Sequence, residues 1–365
     1  MNDIVIDGIS IWDKPLHIKL KPLTVFVGPQ GSGKSIASMT IYLLEQLTFV
    51  KNQYKHIWGK LIDDSLIPKM LTNFFGTSIV EQPDDLLKHA KQNGKKEQIL
   101  YIPAHRNMLL LYGWYPPAQA IPDYPFVVRR FTDIMLKRLG NMPVDENIFL
   151  TKHWSKKSRI SYTTFNKVLA SIYTSTGTPM FIKLVQTPSG PKVVGEIENN
   201  FVPVSAWSTG QREAFSLLFG LLLGTGKYQY IFIEEPELGL HTKAQVYIFS
   251  LLLEAIAKGK HILFSTHSQV FLQMLWAIAS VKKEGLHRLF TEFFGLKKHT
   301  VTKLVQNWQG ISVYMFKDRI IKDISHLDTL KEDFSHEQWG GEGDWGGLLL
   351  DDKLFEIVNS YSKYK

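Results

Sequence analysis

The 365-residue chain contains no cysteine. That removes disulfides, thiol nucleophiles and thiolate-bound metal from consideration, and it fits a reducing compartment. Long apolar runs are also missing. The longest, Ala214 to Leu223, is interrupted by Ser216 and Gly220 and falls well short of the roughly 20 apolar residues that span a bilayer. The start, Met1-Asn2-Asp3-Ile4-Val5, has no charged region leading into an apolar core. No secretory leader or membrane association is therefore expected, and the expected location is the cytoplasm. No repeat recurs at a fixed period and no heptad pattern is sustained, which excludes solenoid arrays and a long coiled-coil arm. Neither sign of charge dominates strongly. The 42 Lys+Arg and 34 Asp+Glu leave +8, an excess that permits contact with nucleic acid without requiring it. A hydrophobic fraction of 44% supports a sizeable core, and the length suits one α/β core with insertions.

What is present centres on one stretch, Gly28-Pro29-Gln30-Gly31-Ser32-Gly33-Lys34-Ser35. The apolar run Leu23 to Val27 leads into it and the helix-like run Ile36 to Thr48 follows. A strand, a glycine-rich turn and a helix together make a phosphate cradle. The glycines let the backbone curl so that N–H groups point inward, and the helix N-terminus adds partial positive charge. At this spacing Lys34 reaches the β- and γ-phosphates of a nucleotide and the Ser35 hydroxyl ligates Mg²⁺. The motif by itself says only that a nucleoside triphosphate is bound.

Taken in order, Ile4 to Trp12 and Leu16 to Phe26 alternate apolar and polar residues around the turn Asp13-Lys14-Pro15, predicting a strand hairpin that feeds the loop. Residues 1–50 form an N-terminal lobe carrying the phosphate loop. Residues 51–180 read as a largely helical insertion, with helical stretches at Ser65–Phe75 and Pro83–Gln92 and a buried strand, Gln98 to Pro103. That strand ends at Arg106, a candidate for meeting nucleotide; an arginine merely solvating the strand end is the alternative. Basic residues gather at Arg129, Arg130, Lys137 and Arg138, and at Lys152, Lys156, Lys157 and Arg159 around Trp154. Such clusters suit a phosphate backbone or an acidic protein, or form a solvated face. Residues 181–325 supply the rest of the core. They open with a hairpin of Met180–Gln186 and Lys192–Ile197 and continue with an apolar helix from Ala214. Strand Tyr230–Ile233, helix Lys243–Lys258 and strand His261–Ser265 then argue for a parallel sheet. A hairpin of Ile311–Phe316 and Arg319–Ile324 follows. Residues 326–365 are a polar tail in which Trp339 to Gly347 reads as a loop.

Four features carry chemistry after the phosphate loop. The strand Ile231–Ile233 ends in Glu234 and Glu235. Phosphoanhydride hydrolysis needs one acid near Mg²⁺ and one to polarise the attacking water, assigned here to Glu234 and Glu235 respectively. Pro236 to His241 makes a tight connection to the next helix. His267 ends the following strand, where a histidine reaches a γ-phosphate. Ser208-Thr209-Gly210-Gln211 precedes a helix, so its N–H groups and the Ser208 hydroxyl form a second anion-binding turn.

Together these residues resemble the nucleotide-binding domain of the ABC ATPase superfamily. Gly28 to Ser35 resembles the Walker A motif and Ser208 to Gln211 the signature turn. Glu234-Glu235 resembles the end of the Walker B motif, Pro236 to His241 the D-loop and His267 the switch histidine. Glu234-Glu235-Pro236-Glu237 with Leu240-His241, and Ser265-Thr266-His267-Ser268, look like the OLD, RecF, Rad50 and SMC side of that superfamily, and Tyr101 to Arg106 is similar to a turn in its stand-alone ATPases. The resemblance implies an α/β head of mixed, largely parallel sheet with an N-terminal antiparallel β subdomain and a helical insertion. It implies ATP and Mg²⁺ as ligands. It also implies head-to-tail pairing of two copies or a higher oligomer, with Ser208, Thr209, Gly210 and Gln211 acting on nucleotide in trans. Three departures stand out: Glu rather than Asp at 234, no clear Q-loop glutamine, and no Asp-x-Asp after His267 to suggest a Toprim nuclease. The expected function is an ATP-driven switch that controls a separate nuclease or toxin, as in anti-phage defence pairs. A RecF-like DNA-repair ATPase is the alternative.

Overall fold

Parallel strands covered on both faces have no solvent side, so they read as unbroken apolar runs. Five such runs pair side by side here. The computed structural model describes residues 3–90, 97–104, 106, 110, 113, 114, 121, 123–149, 154, 162–175, 178–188, 190–325 and 352–362. Strands β1 (Asp3–Ile6) and β2 (Leu16–Lys19) pair antiparallel as the patterning predicts. Strand β3 (Leu23–Val27) leaves that hairpin and enters the main sheet, with all five residues buried. Next come α1 (Lys34–Trp58), α2 (Ile67–Phe75), α3 (Pro83–Leu87), β4 (Ile99–Ile102), α4 (Phe126–Leu139) and α5 (Tyr162–Tyr173). Two-residue strands β5 (Thr174–Ser175) and β6 (Thr178–Pro179) close a small turn. A three-stranded antiparallel sheet follows, of β7 (Phe181–Thr187), β8 (Gly190–Ile197) and β9 (Asn200–Pro203). The core resumes with α6 (Thr209–Lys227), β10 (Tyr230–Glu234), α7 (Thr242–Ala257) and β11 (His261–Thr266). Helices α8 (Gln269–Ser280), α9 (Lys283–Arg288) and α10 (Lys298–Gln306) then lead to the hairpin β12 (Ile311–Lys317) and β13 (Ile320–Asp323).

The main sheet has six strands in the order β13-β12-β3-β11-β10-β4. All neighbours run parallel except the edge strand β13, which turns back on β12. Three inner strands, β3, β10 and β11, end at the same edge, and the phosphate loop, Glu235 and His267 follow directly after them. Crevices beyond the carboxyl ends of parallel strands are where open α/β sheets bind ligands.

Two glycines explain how α6 reaches the sheet. A Cβ on Gly220 would lie 2.9 Å from Ile102 Cδ1, and one on Gly224 would lie 2.7 Å from Ile231 Cδ1. Gly220, the glycine that breaks the apolar run in the sequence, is therefore a packing position against β4, and Gly224 is one against β10. On the same face of the sheet Phe249 of α7 packs edge-on to Phe264 and Phe271 and stacks on Phe294. Burying a side chain of this size contributes about 1.5–3 kcal/mol.

The helices extend further than periodicity indicates. Helix α1 runs ten residues past Thr48, with a kink at Gln46 (φ −126°, ψ 20°). There the Gln46 Oε1 accepts the backbone N–H of Gln98 at 3.0 Å, tying the kink to the start of β4. A final helix, Asp352–Tyr361, packs on α8 and α9, where the patterning shows only a polar tail. Trp339 to Gly347 lie outside the described residues, as do Lys152, Lys156, Lys157 and Arg159.

Candidate nucleotide-binding site

The phosphate loop joins β3 to α1. Gly33 is the N-cap of α1 at φ 96°, and Lys34 begins the helix. Lys34 is 6% exposed, and its ammonium donates to the carbonyls of Gly28 and Pro29, both at 2.7 Å. Burial pulls the Lys34 pKa below its ordinary value, against the opposing charges of Glu235, Glu237 and Glu234. A buried cation inside a loop of main-chain groups, faced by three glutamates, suits a polyphosphate carrying a divalent cation. Ser35, exposed on the first turn of α1, presents a hydroxyl beside it. The donor set therefore fits a nucleotide with Mg²⁺.

The acids sit at the end of β10. Glu234 Oε1 accepts the Tyr101 hydroxyl at 2.8 Å, and Oε2 accepts the Ala104 backbone N–H at 2.8 Å. A carboxylate offers about four lone-pair sites, so each oxygen keeps one for a hydrated cation. Glu235 adopts φ 43°, the left-handed region that few non-glycine residues occupy. Its N–H donates to the Ser265 carbonyl at 3.0 Å, and its Oε1 lies 3.5 Å from His267 Nδ1. His267 follows β11 directly, with its side chain 43% exposed. The turn beneath it is built by Thr266 Oγ1, which accepts the Ser268 N–H at 3.0 Å, and by Ser268, which caps α8.

Glu237 completes this turn, and its separate role is not visible in the sequence. Its Oε1 accepts the Thr266 hydroxyl at 2.6 Å and the His267 backbone N–H at 3.2 Å, while Oε2 is buried without a partner. Burial raises its pKa above the usual carboxylate range. Tyr101 is a second such residue. Its strand position gives it a buried side chain, but only the pairing of β4 with β10 carries its hydroxyl to Glu234.

The turn Ser208–Gln211 opens α6 with a reciprocal capping box. Ser208 Oγ accepts the Gln211 N–H at 3.2 Å, and Gln211 Oε1 accepts the Ser208 N–H at 3.0 Å. Ser208 and Thr209 are exposed. Gly210 lies against the loop after Glu235: a Cβ there would stand 2.3 Å from the Gly239 carbonyl oxygen. Gly239 itself has φ +71°. The two turns thus touch through their backbones, and neither glycine tolerates a side chain without movement.

Arg106 is placed differently from the expectation. It is fully buried, and its guanidinium is spent on the Glu213 carboxylate and on main-chain carbonyls. Desolvation leaves it no face toward a nucleotide. On α4, Arg129 is buried and Arg130 and Arg138 are half-buried. Arg129 donates to Asn73 Oδ1 at 2.6 Å and to the Tyr54 hydroxyl at 3.2 Å. Arg130 forms a fork on Glu97, and Arg138 lies 4.8 Å over the Trp154 ring. Of these four cations only Lys137 is exposed.

Residues 110–273, just under half of the chain, match the family described as "AAA domain, putative AbiEii toxin, Type IV TA system". The matched span holds the Ser208 turn, the acids and His267, and it begins after the phosphate loop. The chain thus joins a span similar to an AAA-type domain to a phosphate-binding loop of the Walker A pattern. No curated protein matches it in sequence. Among solved structures, this chain is similar to an Smc head bound to the C-terminal winged-helix domain of ScpA. The identity there is 12%, over 88% of this chain and 96% of the other, at a TM-score of 0.44. It is also similar to the Pyrococcus furiosus Smc head with an extended coiled coil bound to the C-terminal domain of ScpA. That match has 11% identity, covers 92% and 99% of the two chains, and has a TM-score of 0.41. The SMC head domain from Thermotoga maritima matches at 10% identity, over 88% and 98%, with a TM-score of 0.34. Among the described residues, no helix is long and apolar enough to cross a membrane.

Proposed function

We propose that the protein binds and hydrolyses ATP as a dimeric switch that controls a separate protein effector. The observation that carries this reading is the placement of Glu235 against His267, beyond the loop that buries Lys34. Lys34 and the loop N–H groups hold the phosphates. Ser35 and Glu234 are the residues that would hold Mg²⁺, which would supply charge neutralisation on the phosphate oxygens. Glu235 polarises the attacking water, and His267 holds the γ-phosphate from the other side. Ser208 and Thr209, exposed at a helix N-terminus, suit an anion supplied by a second copy of the chain. Closure on ATP and opening after hydrolysis then make two states that a partner can read. The description of the matched family as "putative AbiEii toxin, Type IV TA system" supports work alongside a partner gene product; a role in antiviral defence is part of the same proposal. A DNA-repair reading draws less support from α4, where Arg129 is buried and Arg130 and Arg138 are engaged by Glu97 and Trp154; the second basic cluster lies outside the described residues.

The test is Glu235→Gln, which removes the carboxylate while keeping its size. Phosphate release is expected to fall by at least about a hundredfold, the range of a lost general base. A fluorescent ATP analogue is expected to bind as before, and light scattering is expected to give twice the protomer mass with ATP. Lys34→Ala serves as the binding-deficient control. Retained hydrolysis in the glutamine variant would show that another group polarises the water. A protomer mass that stays unchanged with ATP would remove the dimeric switch.

A further inference from the structure

Arg106 lies at a junction of three elements. Nη1 donates to the Glu234 carbonyl at 2.8 Å and to the Pro103 carbonyl at 3.1 Å, and Nη2 donates to the Glu235 carbonyl at 3.0 Å. Nε lies 3.0 Å from Glu213 Oε2 and 3.3 Å from the Glu213 carbonyl. The main chain of Arg106 is held in turn by the Ser216 hydroxyl at 3.4 Å. The loop after β4, helix α6 and the end of β10 are thus tied through one side chain. A guanidinium is planar and presents its donors in a fixed fork, so it sets the angle between the groups it grips; a lysine ammonium does not.

Two of the gripped carbonyls belong to consecutive residues, and the second has φ 43°. A left-handed glutamate persists only where its surroundings over-determine it. Here the Glu235 N–H is fixed by Ser265, and its carbonyl accepts both Arg106 Nη2 and the Leu238 N–H at 3.1 Å. The reversal of chain direction at this residue brings the carboxylate to within 3.5 Å of His267 Nδ1. Glu213 is 1% exposed and supplies the carboxylate that Arg106 needs in this interior.

We propose that Arg106, held by Glu213, is the positioning residue that fixes the backbone of Glu235 and so aims its carboxylate at the attacking water. The proposal rests on Glu235 as the group that polarises that water. Because Glu213 lies on the helix that begins at Ser208, the pair also connects the exposed turn of α6 to the acids of the same chain.

The experiment compares Arg106→Lys and Glu213→Gln with the unaltered protein. Steady-state phosphate release gives kcat, and titration of a fluorescent ATP analogue gives Kd. Arg106→Lys is expected to lower kcat at least tenfold while Kd stays within about twofold. Glu213→Gln keeps the fork on both carbonyls and is expected to lower kcat less, again without weakening binding. An unchanged kcat in Arg106→Lys overturns the proposal. So does a Kd that weakens in proportion to kcat, which would put Arg106 on the nucleotide or on the fold as a whole. If Arg106→Lys does not fold, Glu213→Gln decides by the same split. An unaltered protein that does not hydrolyse ATP refutes the reading of Glu235, and this inference with it; one that does leaves the variants to decide.

Discussion

At the scale of single residues, the site separates carboxylates by their surroundings. Glu234 is tied on both oxygens, Glu235 is half-open beside a histidine, and Glu213 is enclosed with an arginine. Glu213 also predicts a stability signature. Burial lifts its pKa from the ordinary 4.5 to about 7, opposed by Arg106 and Arg212 and reinforced by Glu235. The folded protein therefore keeps a proton that the unfolded chain releases between those values. Stability contributed by this group falls as pH rises from 4.5 to about 7, and is level above that. Melting temperatures across that window should decline more steeply for the unaltered protein than for Glu213→Gln. Parallel slopes would show that Glu213 does not titrate there. Glu237 shares the burial but not the partner: its outer oxygen is left without a hydrogen bond while the inner one holds the turn under His267.

At the scale of elements, the exposed turn of α6 and the loop following the acids behave as one unit. Gly210 and Gly239 meet backbone to backbone, so a displacement of either turn is felt by the other. Gly210→Ala places a methyl group where the Gly239 carbonyl stands. The expected cost is about 1–3 kcal/mol, the range for overpacking a tight contact, read as a lower denaturation midpoint. Hydrolysis should fall with it, while binding of nucleotide to the distant phosphate loop should persist. An alanine variant as stable and active as the unaltered protein would show that the two turns move apart readily. Helix α6 also carries Gly220 and Gly224 against the sheet, so its length and its approach are set by small residues at both levels.

At the scale of the whole molecule, the net charge of +8 does not tell which basic residues face a partner. Arg129 is 8% exposed, and Arg130 is paired with Glu97 in a network that includes Tyr42 and Tyr228. These contacts join α1, α4 and the end of α6. Arg129→Glu would bury an unpaired carboxylate beside Asn73 and the Tyr54 ring, a class of change that costs several kcal/mol. The expected outcome is a large fall in melting temperature. A stable variant whose only defect is weaker, salt-dependent nucleic-acid binding would restore the basic-face reading.

The phosphate loop, the order of the strands and helices in the core, the acidic pair and the histidine are all legible in the sequence. Each is encoded by contiguous residues: an apolar run fixes a buried strand, and the residues just beyond it are carried to the edge of the sheet whatever else the chain does. The third strand β9 and the helix Asp352–Tyr361 are not legible, because short or polar segments acquire their structure from what they pack against. The tertiary structure alone decided that β11 lies between β3 and β10, which brings His267 beside Glu235. It also decided the fate of the arginines. A guanidinium after a strand or on a helix reads the same whether it faces water or a buried carboxylate. For Arg106 the partner is Glu213, more than a hundred residues away in the chain. Only the packing of α6 on the sheet turns a candidate ligand of the nucleotide into a clamp on the acids.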